Sequence, residues 1–195
     1  PDVIRDYEAL GIPMIQGYGM TENAPIIAVN KDYYSKADSV GMPLPGTEVK
    51  IIDQDEEGVG EIIVKGPSVM IGYYDNPEAT EEVLKDGWLY TGDYGRFDEE
   101  GFLYLCGRKK FVIVTKNGKN IFPEEIEALL MEEPFIEEVL VYGTVDKSDG
   151  DVIVRAEVFP NYDALKEQLG EITEDGIKDA IKACIENVND KMPTY

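Results

Sequence analysis

Two apolar runs, Phe102 to Cys106 and Phe111 to Val114, are split by three consecutive cations, Arg108, Lys109 and Lys110. This break constrains the fold more than any other feature, because the residue pattern differs on its two sides. Before it, over residues 40–107, short apolar runs alternate with turns rich in Gly, Pro and Asp, which predicts a small β-rich unit. After it, strand-like and helix-like periods interleave without a long parallel series. The predicted class is α+β, with a boundary between Gly107 and Lys110.

The same break is electrostatically odd. From Gly101 to Pro123 there are five basic residues and no acidic one, in a chain of 195 residues whose net charge is −22. Lysines at solvated strand edges, where they block edge-to-edge pairing, are one reading. An anionic ligand, approached by backbone N–H groups of the Gly-rich turns, is the other.

Local patterns give the order of elements. Pro1 to Leu10 reads as a helix with Val3, Ile4, Tyr7 and Leu10 on one face, stopped by Gly11. A short strand is predicted at Ile12–Ile15, followed by the loop QGYGMTE and an apolar run from Ala24 to Val29. Glu48–Ile52 and Glu61–Val64 read as a hairpin across an acidic turn. Asn76 caps a helix that begins at Pro77. Trp88–Tyr90 reads as a strand that ends in an acidic turn, Thr91 to Asp93. Beyond the break, strands are predicted at Phe111–Thr115, Val139–Val145 and Val152–Phe159, with a tight turn at Asp146–Asp151. Helices are predicted from Pro123 and, capped by Thr173, through Ile177, Ile181, Ile185 and Val188.

Composition excludes several functions. With no histidine, the chain supplies neither Ser-His-Asp nor Cys-His catalysis nor a His-ligated metal. Its acidity opposes binding to nucleic acid or anionic membranes. No apolar run reaches membrane-spanning length, so no transmembrane segment is expected. Cys106 and Cys184 form no CxxC and read as buried thiols of a reducing, cytoplasmic compartment. The chain begins at Pro1, which suggests an excised piece of a longer protein.

The loop from Gln16 to Glu22 carries two glycines, a flat aromatic, a hydroxyl and a carboxylate. These suit a nucleotide: backbone and Thr21 for a phosphate, Tyr18 for a base, Glu22 for a hard cation. The same residues also make an ordinary Gly-Tyr-Gly turn. Asp93 suits a ribose diol, since a carboxylate only accepts hydrogen bonds, but it equally suits a turn. Arg108 suits a sugar or a phosphate, and equally a surface ion pair. Tyr73 and Tyr74 read as packing residues.

Taken together, QGYGMTE, GEIIVKGPSVMIGYYDNPEAT, GWLYTGDYG and GRKKFVIVTKNGKNIFPEEIE, in that order, resemble the adenylate-forming superfamily, which contains acyl- and aryl-CoA ligases, luciferases and peptide-synthetase adenylation domains. KNGKNIFPEEIE looks most like the long-chain fatty acid–CoA ligase branch. The resemblance implies that the chain holds the β-rich end of a large adenylation domain, residues 1–109, and a truncated small α+β domain, residues 110–195. Gln16, Gly17, Tyr18, Gly19, Met20 and Thr21 would line the ATP/AMP site. Tyr18 would stack on adenine, Thr21 would meet the α-phosphate and Glu22 would hold Mg²⁺. Asp93 would bind the ribose hydroxyls, with Arg108 as a second ribose or phosphate contact. Lys110 would be the hinge of the small domain, and the turn at Gly118 would enter the site for the coenzyme A step. The implied substrates are a small-molecule carboxylic acid, ATP and CoA. An amino-acid or aryl-acid adenylating enzyme, or a non-catalytic nucleotide-binding module, are the alternatives. The Ser/Thr/Gly-rich phosphate loop of the superfamily does not occur in the sequence, and its C-terminal lysine is expected beyond Tyr195. The chain alone is therefore expected to be inactive.

Overall fold

The computed structural model describes residues 2–116, 118–146, 152–170 and 173–192. The chain divides into two compact units, residues 1–110 and 111–195, so the division falls directly after the basic triplet.

The first unit opens with helix α1 (Asp2–Ala9). Gly11 follows with φ +78°, the left-handed value that ends helices at glycine. The predicted strand at Ile12–Ile15 does not form. Pairing begins instead at β1 (Gly17–Gly19), which lies antiparallel to β2 (Ile26–Val29), itself paired with β3 (Met42–Pro43). β-propensity at residues 12–15 was the misleading signal, since a strand needs a partner more than it needs branched residues.

The hairpin predicted at residues 48–64 is present as β4 (Glu48–Ile52) and β5 (Gly60–Lys65). Helix α2 (Pro77–Val83) starts where Asn76 Oδ1 accepts from Ala79 N at 3.1 Å. It leads into β6 (Leu84–Lys85) and the long β7 (Trp88–Phe97), and β8 (Leu103–Arg108) pairs along β7. The five strands form one sheet in the order β4-β5-β7-β6, with β8 also on β7. Ile62, Val64 and Leu103 from it pack with Tyr18, Ile27, Ala28 and Val40 in the core of the unit.

Thr91–Asp93, expected as a turn, lies inside β7. The partner register jumps from Ile63 opposite Tyr90 to Glu61 opposite Tyr94. Thr91, Gly92 and Asp93 therefore bulge across from Ile62. Gly92 takes φ +70° there, which costs glycine little and other residues much. The Thr-Gly-Asp composition of a turn serves here to bend a strand.

In the second unit, β9 (Ile113–Val114) and β10 (Asn120–Ile121) make a two-stranded ribbon, much shorter than the expected Phe111–Thr115 strand, because Lys109–Phe111 is a 3-10 turn. Helix α3 (Pro123–Leu130) carries Glu124 and Glu125 in its first turn, where they suit the dipole. β11 (Ile136–Val145) and β12 (Val152–Pro160) pair antiparallel over their whole length. The turn expected at residues 146–151 lies, from Lys147 onward, outside the described residues. Helix α4 (Tyr162–Leu169), unforeseen from the sequence, is capped by Asn161, and α5 (Glu174–Lys191) by Thr173. Ile126, Leu130, Ile136, Val141, Cys184 and Val188 form this unit's core.

Candidate nucleotide site

The loop from Gln16 to Glu22 is built as strand β1 followed by a 3-10 turn at Thr21–Asn23. Gly19 is required by a close approach, not by its φ: a Cβ there would sit 1.9 Å from the Pro25 carbonyl oxygen. Met20 N donates to that same oxygen at 2.7 Å, which closes the loop. Asn23, fully buried, donates to the Ile26 carbonyl at 3.0 Å and locks the turn from below. Gly17 pairs with Val29, and the Gln16 carbonyl accepts from Asn30 N at 2.9 Å. Thr21 is exposed, and Glu22 is half-buried.

Tyr18, Asp93 and Arg108 converge, although Tyr18 and Asp93 are 75 positions apart. Tyr18 is 8% exposed and its hydroxyl donates to Asp93 Oδ2 at 2.5 Å. Arg108 Nε lies 2.9 Å from Asp93 Oδ1, from the position directly opposite on β8. Burial pushes the Tyr18 phenol far up from its ordinary value, and the hydrogen bond to Asp93 adds to the rise. Tyr18 therefore stays a neutral donor at all physiological pH. The bulge aims the carboxylate: Thr91 Oγ1 donates to the Ile62 carbonyl at 2.7 Å and accepts from Asp93 N at 3.1 Å. Thr91 was not foreseen in this role, and nothing short of the bulge itself would have revealed it.

Asp93 is buried, yet each of its oxygens still has lone pairs beyond those used by Tyr18 and Arg108, since an ionised carboxylate accepts at about four sites. That fits a vicinal diol, which donates two hydrogen bonds. Gln16 Oε1 is buried and has no hydrogen-bond partner among the described residues. Glu22 Oε1 accepts from the Tyr73 hydroxyl at 2.8 Å. Its other oxygen has no partner among the described residues. Magnesium takes one or two carboxylates and completes its shell with water and phosphate oxygens, so a single such carboxylate fits it. Tyr73, expected to pack, is thus polar in its use, while Tyr74 is fully exposed.

Lys110 is exposed and lies in the 3-10 turn at the division between the units. Gly118 lies in the second unit with φ +77°, its N–H bonded to the Thr115 carbonyl at 2.9 Å.

Residues 1–74 match the AMP-binding enzyme family, and residues 110–195 match the AMP-binding enzyme C-terminal domain. The chain belongs to the AMP-binding enzyme family. The resemblance drawn from the four sequence blocks is borne out. A long-chain-fatty-acid–CoA ligase of Escherichia coli O6:H1 is 45% identical over 148 residues, covering 72% of this chain and 26% of that protein. An indoleacetate–CoA ligase of Aromatoleum aromaticum is 45% identical over 159 residues, covering 78% of this chain and 31% of that one. Among AMP-binding enzymes of known structure, the o-succinylbenzoate CoA synthetase of Bacillus subtilis bound to its acyl-adenylate aligns at TM-score 0.76 and 33% identity, over 93% of this chain and 37% of that one. The same enzyme has been solved with ATP and magnesium, and aligns at TM-score 0.73. The chain spans about a quarter to a third of the length of the curated AMP-binding relatives it matches.

Proposed function

We propose that this chain is part of an ATP-dependent acid–CoA ligase that acts on long-chain fatty acids. In this reading residues 1–109 end the large nucleotide-binding domain and residues 110–195 form the small domain. The acid's carboxylate attacks the α-phosphate of ATP, giving acyl-AMP and pyrophosphate; the CoA thiol then attacks the acyl carbon and expels AMP. The observation that carries the reading is the buried Asp93 carboxylate, held between the Tyr18 hydroxyl and the Arg108 guanidinium.

Asp93 accepts from the ribose hydroxyls, and Arg108, 2.9 Å from it, adds a donor to the sugar or phosphate. Gln16 lines the nucleotide site. Tyr18 orients Asp93 through its hydroxyl, and its ring is the one proposed to stack on adenine. Gly17, Gly19 and Met20 shape the loop that the nucleotide lies against, and Thr21 meets the α-phosphate. Glu22 would hold Mg²⁺, which supplies neutralisation of the charge that develops on the phosphate oxygens. Lys110 serves as the hinge between half-reactions, and the turn at Gly118 serves the thioester step. The setting we propose is reducing and cytoplasmic, with Cys106 and Cys184 as free thiols.

Similarity to an indoleacetate–CoA ligase equals that to the fatty acid enzyme in percentage identity, so an aryl acid is the specific competitor. Purified full-length enzyme should release pyrophosphate and form the CoA thioester with palmitate and oleate at kcat/KM at least tenfold above indoleacetate and o-succinylbenzoate. Preference for either aromatic acid overturns the fatty acid assignment. Absence of acid-dependent pyrophosphate release with every acid overturns the ligase assignment.

A further inference from the structure

We infer that Tyr73 is a positioning residue for the Glu22 carboxylate, presenting one of its oxygens to the divalent cation. This rests on the reading of Glu22 as the cation's ligand. The Tyr73 hydroxyl donates to Glu22 Oε1 at 2.8 Å, across 51 positions of chain. It occupies one oxygen and leaves the other, which has no partner among the described residues.

Both ends of this contact are held. On the Glu22 side, the residue's carbonyl accepts from Met70 N at 2.7 Å, and the next residue, Asn23, is anchored in the interior. The segment that carries Tyr73 therefore grips Glu22 twice, by backbone and by side chain. On the Tyr73 side, its N–H donates to Thr80 Oγ1 at 2.9 Å, and Thr80 donates to the Asn76 carbonyl at 2.8 Å. Gly72 passes Thr80 so closely, at φ +150°, that a Cβ would meet Thr80 Cγ2 at 2.9 Å. The first turn of α2 thus fixes the backbone of Tyr73, and Tyr73 fixes the carboxylate. Outer partners of this kind set a ligand's orientation, and losing one costs about 10–100-fold in metal affinity. Tyr73 is 38% exposed, so the loss falls at the lower end of that range.

Tyr73→Phe keeps the ring and removes only the donor. In the full-length enzyme with a non-hydrolysable ATP analogue, the Mn²⁺ dissociation constant measured by electron paramagnetic resonance should rise about tenfold. ATP-analogue affinity without metal should stay within about twofold. In the Glu22→Gln background the same Tyr73→Phe change should have no further effect. An unchanged Mn²⁺ constant in Tyr73→Phe, with Glu22→Gln weakening Mn²⁺ binding, overturns the inference and leaves Glu22 as ligand. Equal weakening by Tyr73→Phe in both backgrounds also overturns it, because the hydroxyl would then act without Glu22. If Glu22→Gln itself leaves Mn²⁺ binding unchanged, the ligand assignment fails and this inference fails with it.

Discussion

Asp93 and Glu22 are both carboxylates in the candidate site, but their surroundings give them different work. Asp93 is buried and clasped on both oxygens; Glu22 is half-buried and clasped on one. A sugar contact is made equally before and during reaction, whereas a ligand to a cation matters most where charge develops. Asp93→Ala in the full-length enzyme should therefore raise KM for ATP with kcat little changed, and Glu22→Ala should lower kcat more than it raises KM. Losing a charged hydrogen-bond partner typically costs about 1.5–3 kcal/mol, roughly 10- to 150-fold. Steady-state kinetics of both variants check this; equal damage to both parameters in both variants contradicts it. The sequence singled out Tyr18, Asp93 and Arg108 as candidates because their types suit a nucleotide, and Gln16 only through the resemblance. It did not make Tyr73 visible, because a hydroxyl that crosses 51 positions to one oxygen leaves no trace in spacing.

Among elements, what was legible followed local physics. The β4–β5 hairpin shows in the sequence because branched residues run to either side of an acidic turn, and α2 and α5 show because Asn76 and Thr173 are strong caps. The bulge of β7 was misread because Thr-Gly-Asp has the composition of a turn, and only the pairing with β5 and β8 makes it a strand. Helix α4 was missed although Tyr162, Leu165 and Leu169 keep helical spacing, because eight residues are shorter than the window over which a helical period stands out. An ion pair joins β5 to the residue that follows β8. Glu61 on β5 is 4% exposed and its Oε2 receives Lys109 Nζ at 2.6 Å. Lys109 itself is half-exposed, so the pair is partly screened. Lys109→Met leaves the buried carboxylate without that partner, and should destabilise the first unit locally by about 1–3 kcal/mol. Hydrogen exchange of the peptide spanning β5 in the full-length protein reads this directly, and Lys109→Met with Glu61→Gln should restore most of the protection. Unaltered exchange in the single variant would show that the pair contributes nothing.

At the scale of the whole molecule, the division of the chain after Lys110 would suit the proposed reaction, with its two steps on different substrates. One set of nucleotide contacts must serve both, so a change of arrangement is needed between adenylation and thioester formation. We place that change at Lys110 and propose that its backbone matters there more than its charge. Proline fixes φ near −65° and removes a donor, so it holds the joint in one state. The measurement that tests the two-step account most directly is a pair of single-turnover assays on full-length Lys110→Pro and Lys110→Ala enzymes. One assay follows acyl-AMP formation and the other follows transfer from acyl-AMP to CoA. The account predicts that the proline variant forms acyl-AMP at close to the wild-type rate, while transfer slows by about 100-fold, an added barrier of about 2.7 kcal/mol, and that the alanine variant stays near wild type in both. A folded proline variant that keeps both half-reactions, or loses both equally, contradicts it.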